Sequence, residues 1–260
     1  MLIRNFFLVC GTVLMVGMGP AISYAGLPDT IDQIRGSIVA VGSIFPNKRV
    51  TANMPKAIYS GTGFVVGNGR QVITNYHVIT ARDLDVEKGE KFAIFSGRGK
   101  AAKALSVKVM RIDEERDLAL LEFDGPALPA MALAGSAWIR EGSEVAFTGF
   151  PIGMVLGLYP VTNKGIIAAV TPIVIPAQSS RQLTAAQIRR LRSPLQVYQL
   201  DAIAYPGNSG SPLYDVGSGH VVGVVNSVFV KGTKESVLEH PSGISYAIPV
   251  KYVHQLLQSR

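Results

Sequence analysis

From residue 37 onward the chain alternates short apolar runs with glycine- and proline-bearing breaks. Ser37–Val41 is rich in β-branched residues. Gly61–Val66 and Gln71–Thr74 flank a Gly67-Asn68-Gly69 break, which reads as a hairpin. Further runs of strand length are Phe92–Phe95, Leu105–Arg111, Leu118–Phe123, Glu144–Gly149, Thr162–Val170, Val197–Ile203 and Val221–Val228. They are too short for helices and carry the Val, Ile and Phe that suit a pleated surface. There is no strand–helix alternation and no internal repeat, so the pattern predicts an all-β sandwich or barrels. Two helices are expected. Val250, Val253, Leu256 and Leu257 recur at helical spacing behind Pro249, giving a terminal helix over 250–258. Thr184-Ala185-Ala186-Gln187 reads as a capping box opening a short helix inside a 176–194 insertion on a surface loop. Turn-rich sequence near 125–140 marks the join between two halves, about 35–130 and 140–249.

The first 25 residues do not fit this pattern. Arg4 precedes an almost unbroken apolar run from Phe6 to Met18, Gly19-Pro20 ends it, and Ser23-Tyr24-Ala25 supplies small residues at a cleavage position. That is the layout of a secretory signal cut after Ala25. The run is shorter than the ~20 residues that span a bilayer, so no stable membrane anchor is expected after cleavage. The expected location is the periplasm or outside the cell. The single cysteine, Cys10, lies in this segment, so residues 26–260 contain none and the fold rests on its core rather than on disulfides.

The whole chain carries a net charge of +7. Part of the excess is local, at Arg181, Arg189, Arg190 and Arg192. Aromatic residues are not interleaved with this cluster, so it reads as a solvated basic face and nucleic acid is not an expected partner. No His-Glu-x-x-His spacing and no phosphate-binding glycine loop occurs, so no metal or other cofactor is expected.

The segment with most chemistry in it is Pro206-Gly207-Asn208-Ser209-Gly210-Ser211-Pro212. A serine boxed by glycines suits a tight turn that presents a hydroxyl beside bare backbone N–H groups, the layout acyl transfer needs. The same residue types fill ordinary turns, and this segment alone does not decide between the two. A serine nucleophile needs a base. Of the histidines, His220 and His240 sit in polar loops and His254 on the terminal helix, with a surface position expected for each. His77 differs: the polar Thr74-Asn75-Tyr76-His77 interrupts an apolar run and places an imidazole at a strand end. Asp117 heads the apolar Leu118–Leu121, where a carboxylate is costly unless partnered. Taken singly, it reads equally well as a strand-end cap.

Together these segments resemble the chymotrypsin-like (trypsin-like) serine proteases, in particular their HtrA/Deg-like and glutamyl-endopeptidase-like branches. Thr74-Asn75-Tyr76-His77-Val78 resembles the histidine motif, Asp117-Leu118-Ala119-Leu120 the aspartate motif and Gly207–Pro212 the serine motif. Gly61-Thr62-Gly63-Phe64 and Gly243–Pro249 fit the same pattern, and the likeness runs over about residues 35–257. The resemblance implies two six-stranded antiparallel β-barrels with a C-terminal helix. It implies a serine endopeptidase acting on protein or peptide substrates. It assigns Ser209 as nucleophile, His77 as base and Asp117 as its orienting acid, with the N–H groups of Gly207 and Ser209 as the oxyanion hole. By the same likeness Ile203, Ala204 and Tyr205, with Asn226, Ser227 and Val228 opposite, line the substrate pocket. Those segments hold no charge, which favours small or medium apolar side chains. Asn208 stands where zymogen-activated members carry an aspartate, so activation through a newly cut N-terminus is not expected. The HtrA pattern usually continues into a PDZ domain. Here the sequence reaches Arg260 directly after the helix, so regulation through such a domain is not expected. The alternatives in play are a catalytically silent protease-fold binding protein or chaperone, and an esterase using the same triad. The oligomeric state is left open by the sequence.

Overall fold

The structure, a computed structural model, describes residues 26–46, 57–81, 83–151, 157–173, 194–226 and 244–259. The expected signal segment, most of the 176–194 insertion with its helix and arginines, Ser227, Val228 and His240 lie outside the described residues.

The chain begins with helix α1 (Leu27–Ile34) and enters a first set of strands: β1 (Ile38–Ile44), β2 (Ala57–Val66) and β3 (Gln71–Thr74). Helix α2 (Tyr76–Thr80) follows, then β4 (Lys91–Ser96), β5 (Lys103–Asp113) and β6 (Leu118–Phe123). The second set is β7 (Glu144–Gly149), β8 (Val161–Ile173), β9 (Leu195–Asp201), β10 (Pro212–Asp215), β11 (Val221–Asn226) and β12 (Ile244–Pro249), ending in α3 (Val250–Gln258). Each set closes into an antiparallel barrel, in the orders β1-β2-β3-β6-β5-β4 and β10-β11-β12-β9-β8-β7. Closure leaves no strand edge unpaired.

Side-chain alternation along β1 shows how the barrels meet. Val39 and Val41 point into barrel 1 with Val65, Val72, Ile94 and Leu121. Ile38 and Ala40 point the other way, into a second core shared with Phe64, Ile73, Tyr214, Val224 and Ile248. Barrel 2 has its own interior around Phe147, Ile167, Tyr198, Leu200 and Leu213. Strands buried on both faces lose the polar alternation of a one-sided sheet, which is why they read as near-continuous apolar runs. Helix α3 buries Val250, Val253 and Leu256 in the shared core between the barrels. Its last turn is held by Arg111 Nη1, which donates to the Leu257 carbonyl at 3.0 Å. His254 is not a simple surface residue: its Nε2 lies 2.8 Å from the Ala134 carbonyl on the segment joining the barrels.

Helices α1 and α2 and strands β9 and β10 depart most from the sequence reading. Helix α1 was not expected; Asp29 caps its start by accepting the Gly26 N–H at 3.1 Å, and Thr30 and Ile34 are buried. Strand β10, only four residues behind a glycine- and serine-rich turn, carries too little pattern to announce itself. Strand β9 stops at Asp201 rather than Ile203, because its pairings with both β8 and β12 end there.

Candidate active site

His77 and Asp117 meet because β3 and β6 are neighbours. Thr74 pairs with Ala119, so the chain leaving β3 passes beside the chain about to enter β6. His77 sits not at the strand end but one step further on, in α2, where its own N–H donates to Asp117 Oδ1 at 2.8 Å. Its ring Nδ1 lies 2.6 Å from Asp117 Oδ2. A carboxylate only accepts, so Nδ1 carries the proton, and in the neutral ring Nε2 holds the free lone pair. Asp117 has φ +54°, the one positive φ outside glycine among the described residues. That left-handed turn costs on the order of 1 kcal/mol for a side chain other than glycine, least for Asp and Asn. It lets both ends of Asp117 face the same loop: its carbonyl accepts the Tyr76 N–H at 3.1 Å and Asn75 Nδ2–H at 2.9 Å. Asn75 is fully buried.

Ser209 comes from the other barrel and is 4% exposed. The ladder between β10 and β11 extends back beyond Pro212: Val225 N–H donates to the Ser211 carbonyl and Gly210 N–H to the Val225 carbonyl, both at 2.9 Å. Ser209 is thus placed one residue before the ladder, at the line where the barrels touch. Gly207 (φ +99°) and Gly210 (φ +86°) bracket it in conformations that side chains avoid. At Gly210 a Cβ would also lie 2.0 Å from the Thr62 carbonyl oxygen. Asn208 is completely buried, and among the described residues neither its amide oxygen nor its nitrogen finds a partner; the same holds for Ser211 Oγ.

The residues expected around the pocket fall differently. Ile203 and Tyr205 are partly exposed on the stretch leading to the turn, and the Tyr205 carbonyl accepts the Asn208 N–H at 2.9 Å. Ala204 is buried in the barrel 2 interior, its N–H donating to Ser245 Oγ at 2.8 Å. Asn226 is fully buried, and its Nδ2–H donates to Asp117 Oδ2 at 2.6 Å. It therefore reaches across the barrel interface to the carboxylate. Thr62 and Asn75 carry contacts that the sequence did not assign. The available signal was a polar residue inside an otherwise buried segment, Gly61-Thr62-Gly63 for one and Thr74-Asn75 for the other. Among the described residues no group of three His, Cys, Asp or Glu side chains is placed to hold a metal ion.

A double antiparallel barrel with His, Asp and Ser brought to its seam, in that chain order, defines a peptidase-type fold. The chain belongs to the trypsin-like peptidase domain family, which matches residues 61–224. It is similar to serine protease HTRA1A of Danio rerio, with 27% identity over 90% of this chain and 41% of that protein. It is 31% identical to the chloroplastic protease Do-like 1 of Arabidopsis thaliana over 75% of this chain and 37% of that protein. With the probable periplasmic serine endoprotease DegP-like of Pseudomonas fluorescens it shares 25% identity over 95% of this chain and 52% of that protein. The chain therefore spans about half or less of the length of these relatives. Among solved structures, HtrA-type protease AlgW with a tripeptide superposes with TM-score 0.62 at 22% identity, covering 90% of this chain and 63% of that one. Deg5 superposes with TM-score 0.60 at 22% identity, covering 88% and 90%.

Proposed function

We propose that this chain is an exported serine endopeptidase that cleaves peptide bonds through an acyl-enzyme. The observation that carries the reading is the pair of bonds from one carboxylate to one histidine: Asp117 accepts both the His77 ring Nδ1–H and the His77 backbone N–H. A strand-end cap needs neither the ring contact nor the strained φ. The arrangement holds the imidazole in the tautomer that leaves Nε2 as a base, and it favours the imidazolium formed during reaction.

In this reading Ser209 Oγ attacks the scissile carbonyl and His77 Nε2 takes its proton. His77 then gives that proton to the leaving amine, and water releases the acyl group by the same base. Asp117 stays ionised throughout. The N–H groups of Gly207 and Ser209 receive the negative oxygen of the tetrahedral intermediate, where one donor is worth roughly two to three orders of magnitude in rate. Ile203 and Tyr205, partly exposed on the stretch leading to the turn, line the substrate pocket. Asn226 we reassign from that pocket to the support of Asp117, because its amide is engaged there. Substrates are proteins or peptides, in keeping with the peptide-bound AlgW structures. Export is supported by the Arg4, Phe6–Met18 and Ala25 pattern and by the periplasmic designation of the DegP-like relative.

The test is a fluorophosphonate probe and casein, applied to the purified protein cut to begin at Gly26 and to its Ser209→Ala variant. Labelling and cleavage that both disappear in the variant support the reading. A wild-type protein that neither labels nor cleaves overturns it in favour of a binding protein built on the protease fold, and labelling with ester but no peptide hydrolysis overturns it in favour of an esterase.

A further inference from the structure

We propose that Thr62, on β2 of barrel 1, is the positioning residue that sets the oxyanion turn of barrel 2. The inference rests on the assignment of Ser209 and Gly207 above.

Thr62 is fully buried, and each of its polar groups is engaged. Its Oγ1–H donates to the Gly207 carbonyl at 2.7 Å and the same oxygen accepts the Phe150 N–H at 3.0 Å. Its N–H donates to the Ser209 carbonyl at 2.9 Å. Its carbonyl accepts the Thr74 hydroxyl at 2.7 Å, which ties it to the strand that leads into His77. One residue therefore holds the carbonyls of the two residues whose N–H groups form the proposed hole.

The consequence is geometric. A peptide unit is planar, so holding both its oxygen and its N–H fixes its orientation. The Gly207–Asn208 unit is held at its oxygen by Thr62 and at its N–H by the Tyr205 carbonyl. The Ser209–Gly210 unit is held at its oxygen by Thr62 and at its N–H by the Val225 carbonyl. Between them lies the Asn208–Ser209 unit, which carries the Ser209 N–H. Among the described residues the Asn208 amide adds no hydrogen bond to this set. Within the turn the Ser211 N–H donates to the Asn208 carbonyl at 3.0 Å, but glycine at 207 leaves a freedom that the bonds from Thr62 and Val225 restrict from outside. The Thr62 hydroxyl is the member of this set that a single substitution can remove without touching the turn itself.

The experiment compares Thr62→Val, which keeps the shape and the backbone N–H but lacks the hydroxyl, with Thr62→Ser, which restores it. Peptide turnover and inhibition by a peptide aldehyde, whose tetrahedral adduct needs the hole, are measured well below the melting temperature of each variant. A displacement of about 1 Å in a reacting group costs on the order of 100-fold. We expect Thr62→Val to lose about 10- to 100-fold in kcat and in aldehyde affinity, with KM within about threefold of wild type. Thr62→Ser stays within about threefold of wild type on all three. A valine variant with wild-type kcat and aldehyde affinity overturns the proposal, as does a serine variant that falls as far as valine. If Thr62→Val does not fold, Thr62→Cys takes its place, its thiol being a weak donor; cysteine turning over as fast as serine then overturns it. A wild-type protein silent towards fluorophosphonate would instead sink the parent assignment, whatever the variants do.

Discussion

The two barrels contribute unequally to the seam between them. Barrel 1 builds its corner largely from its own chain: the loop after β3 and the turn before β6 are neighbours in the sheet, and Asp117 bonds to Asn75, Tyr76 and His77 within that one barrel. Barrel 2 presents Ser209 on a glycine-flanked turn whose carbonyls are tied down by Thr62 of barrel 1. One contact runs the other way, from Asn226 of barrel 2 to Asp117. Each barrel thus reaches across to hold a residue of the proposed catalytic set on the other. A corner made from adjacent strands is specified locally, whereas a flexible turn is specified only once the two barrels have docked.

The harshest way to break this reciprocity is Gly210→Ala. The new Cβ would lie 2.0 Å from the Thr62 carbonyl oxygen, in a backbone conformation with φ +86°. Overpacking and left-handed strain together cost about 2–4 kcal/mol or more. Thermal unfolding should show a lowered midpoint, accompanied by loss of fluorophosphonate labelling at temperatures where the variant is still folded. An alanine variant as stable and as reactive as wild type would mean that the turn is not pressed against barrel 1.

Next comes Asn226→Ala, which removes the contact from barrel 2 to Asp117. A hydrogen bond to a charged group contributes about 1.5–3 kcal/mol. If that support is expressed in the rate, kcat should fall by about 10- to 100-fold with KM little changed. A rise in KM at constant kcat would return Asn226 to the substrate pocket, where the resemblance first placed it. Measuring kcat and KM separately on one peptide series distinguishes the two roles.

The smallest effect is expected at Ser211. Its hydroxyl is buried with no partner among the described residues, and removing such a group leaves no bond to lose. Ser211→Ala should change stability by less than about 1 kcal/mol and leave kcat near wild type. A large loss at this position would show that the turn depends on Ser211 as well as on Thr62.

The legibility of the chain follows the same division. Strands β6 and β7 stand over the residues their patterns marked, and most of the others differ only at their ends, because apolar β-branched runs between glycine and proline breaks are a local property. His77, Asp117 and Ser209 were legible as polar interruptions of buried or turn-forming sequence, and their order pointed to one family. Helices α1 and α2 and strand β10 were not legible: α1 is about two amphipathic turns in a polar setting, α2 five residues, and β10 four residues opening on a proline. The resemblance put Asn226 beside the substrate; the bond from its amide to Asp117 Oδ2 was not legible, because the two residues stand on different barrels.

The sequence by itself determined an all-β chain, the short strands that close into two barrels, and the three polar side chains that stand out from them, because each depends on residues close together along the chain. Only the tertiary structure decided that Thr62 holds the carbonyls of Gly207 and Ser209, and that Asn226 serves Asp117. Those bonds join residues more than a hundred positions apart. They exist because the barrels pack through a shared core, and packing of that kind leaves no periodic trace in the sequence.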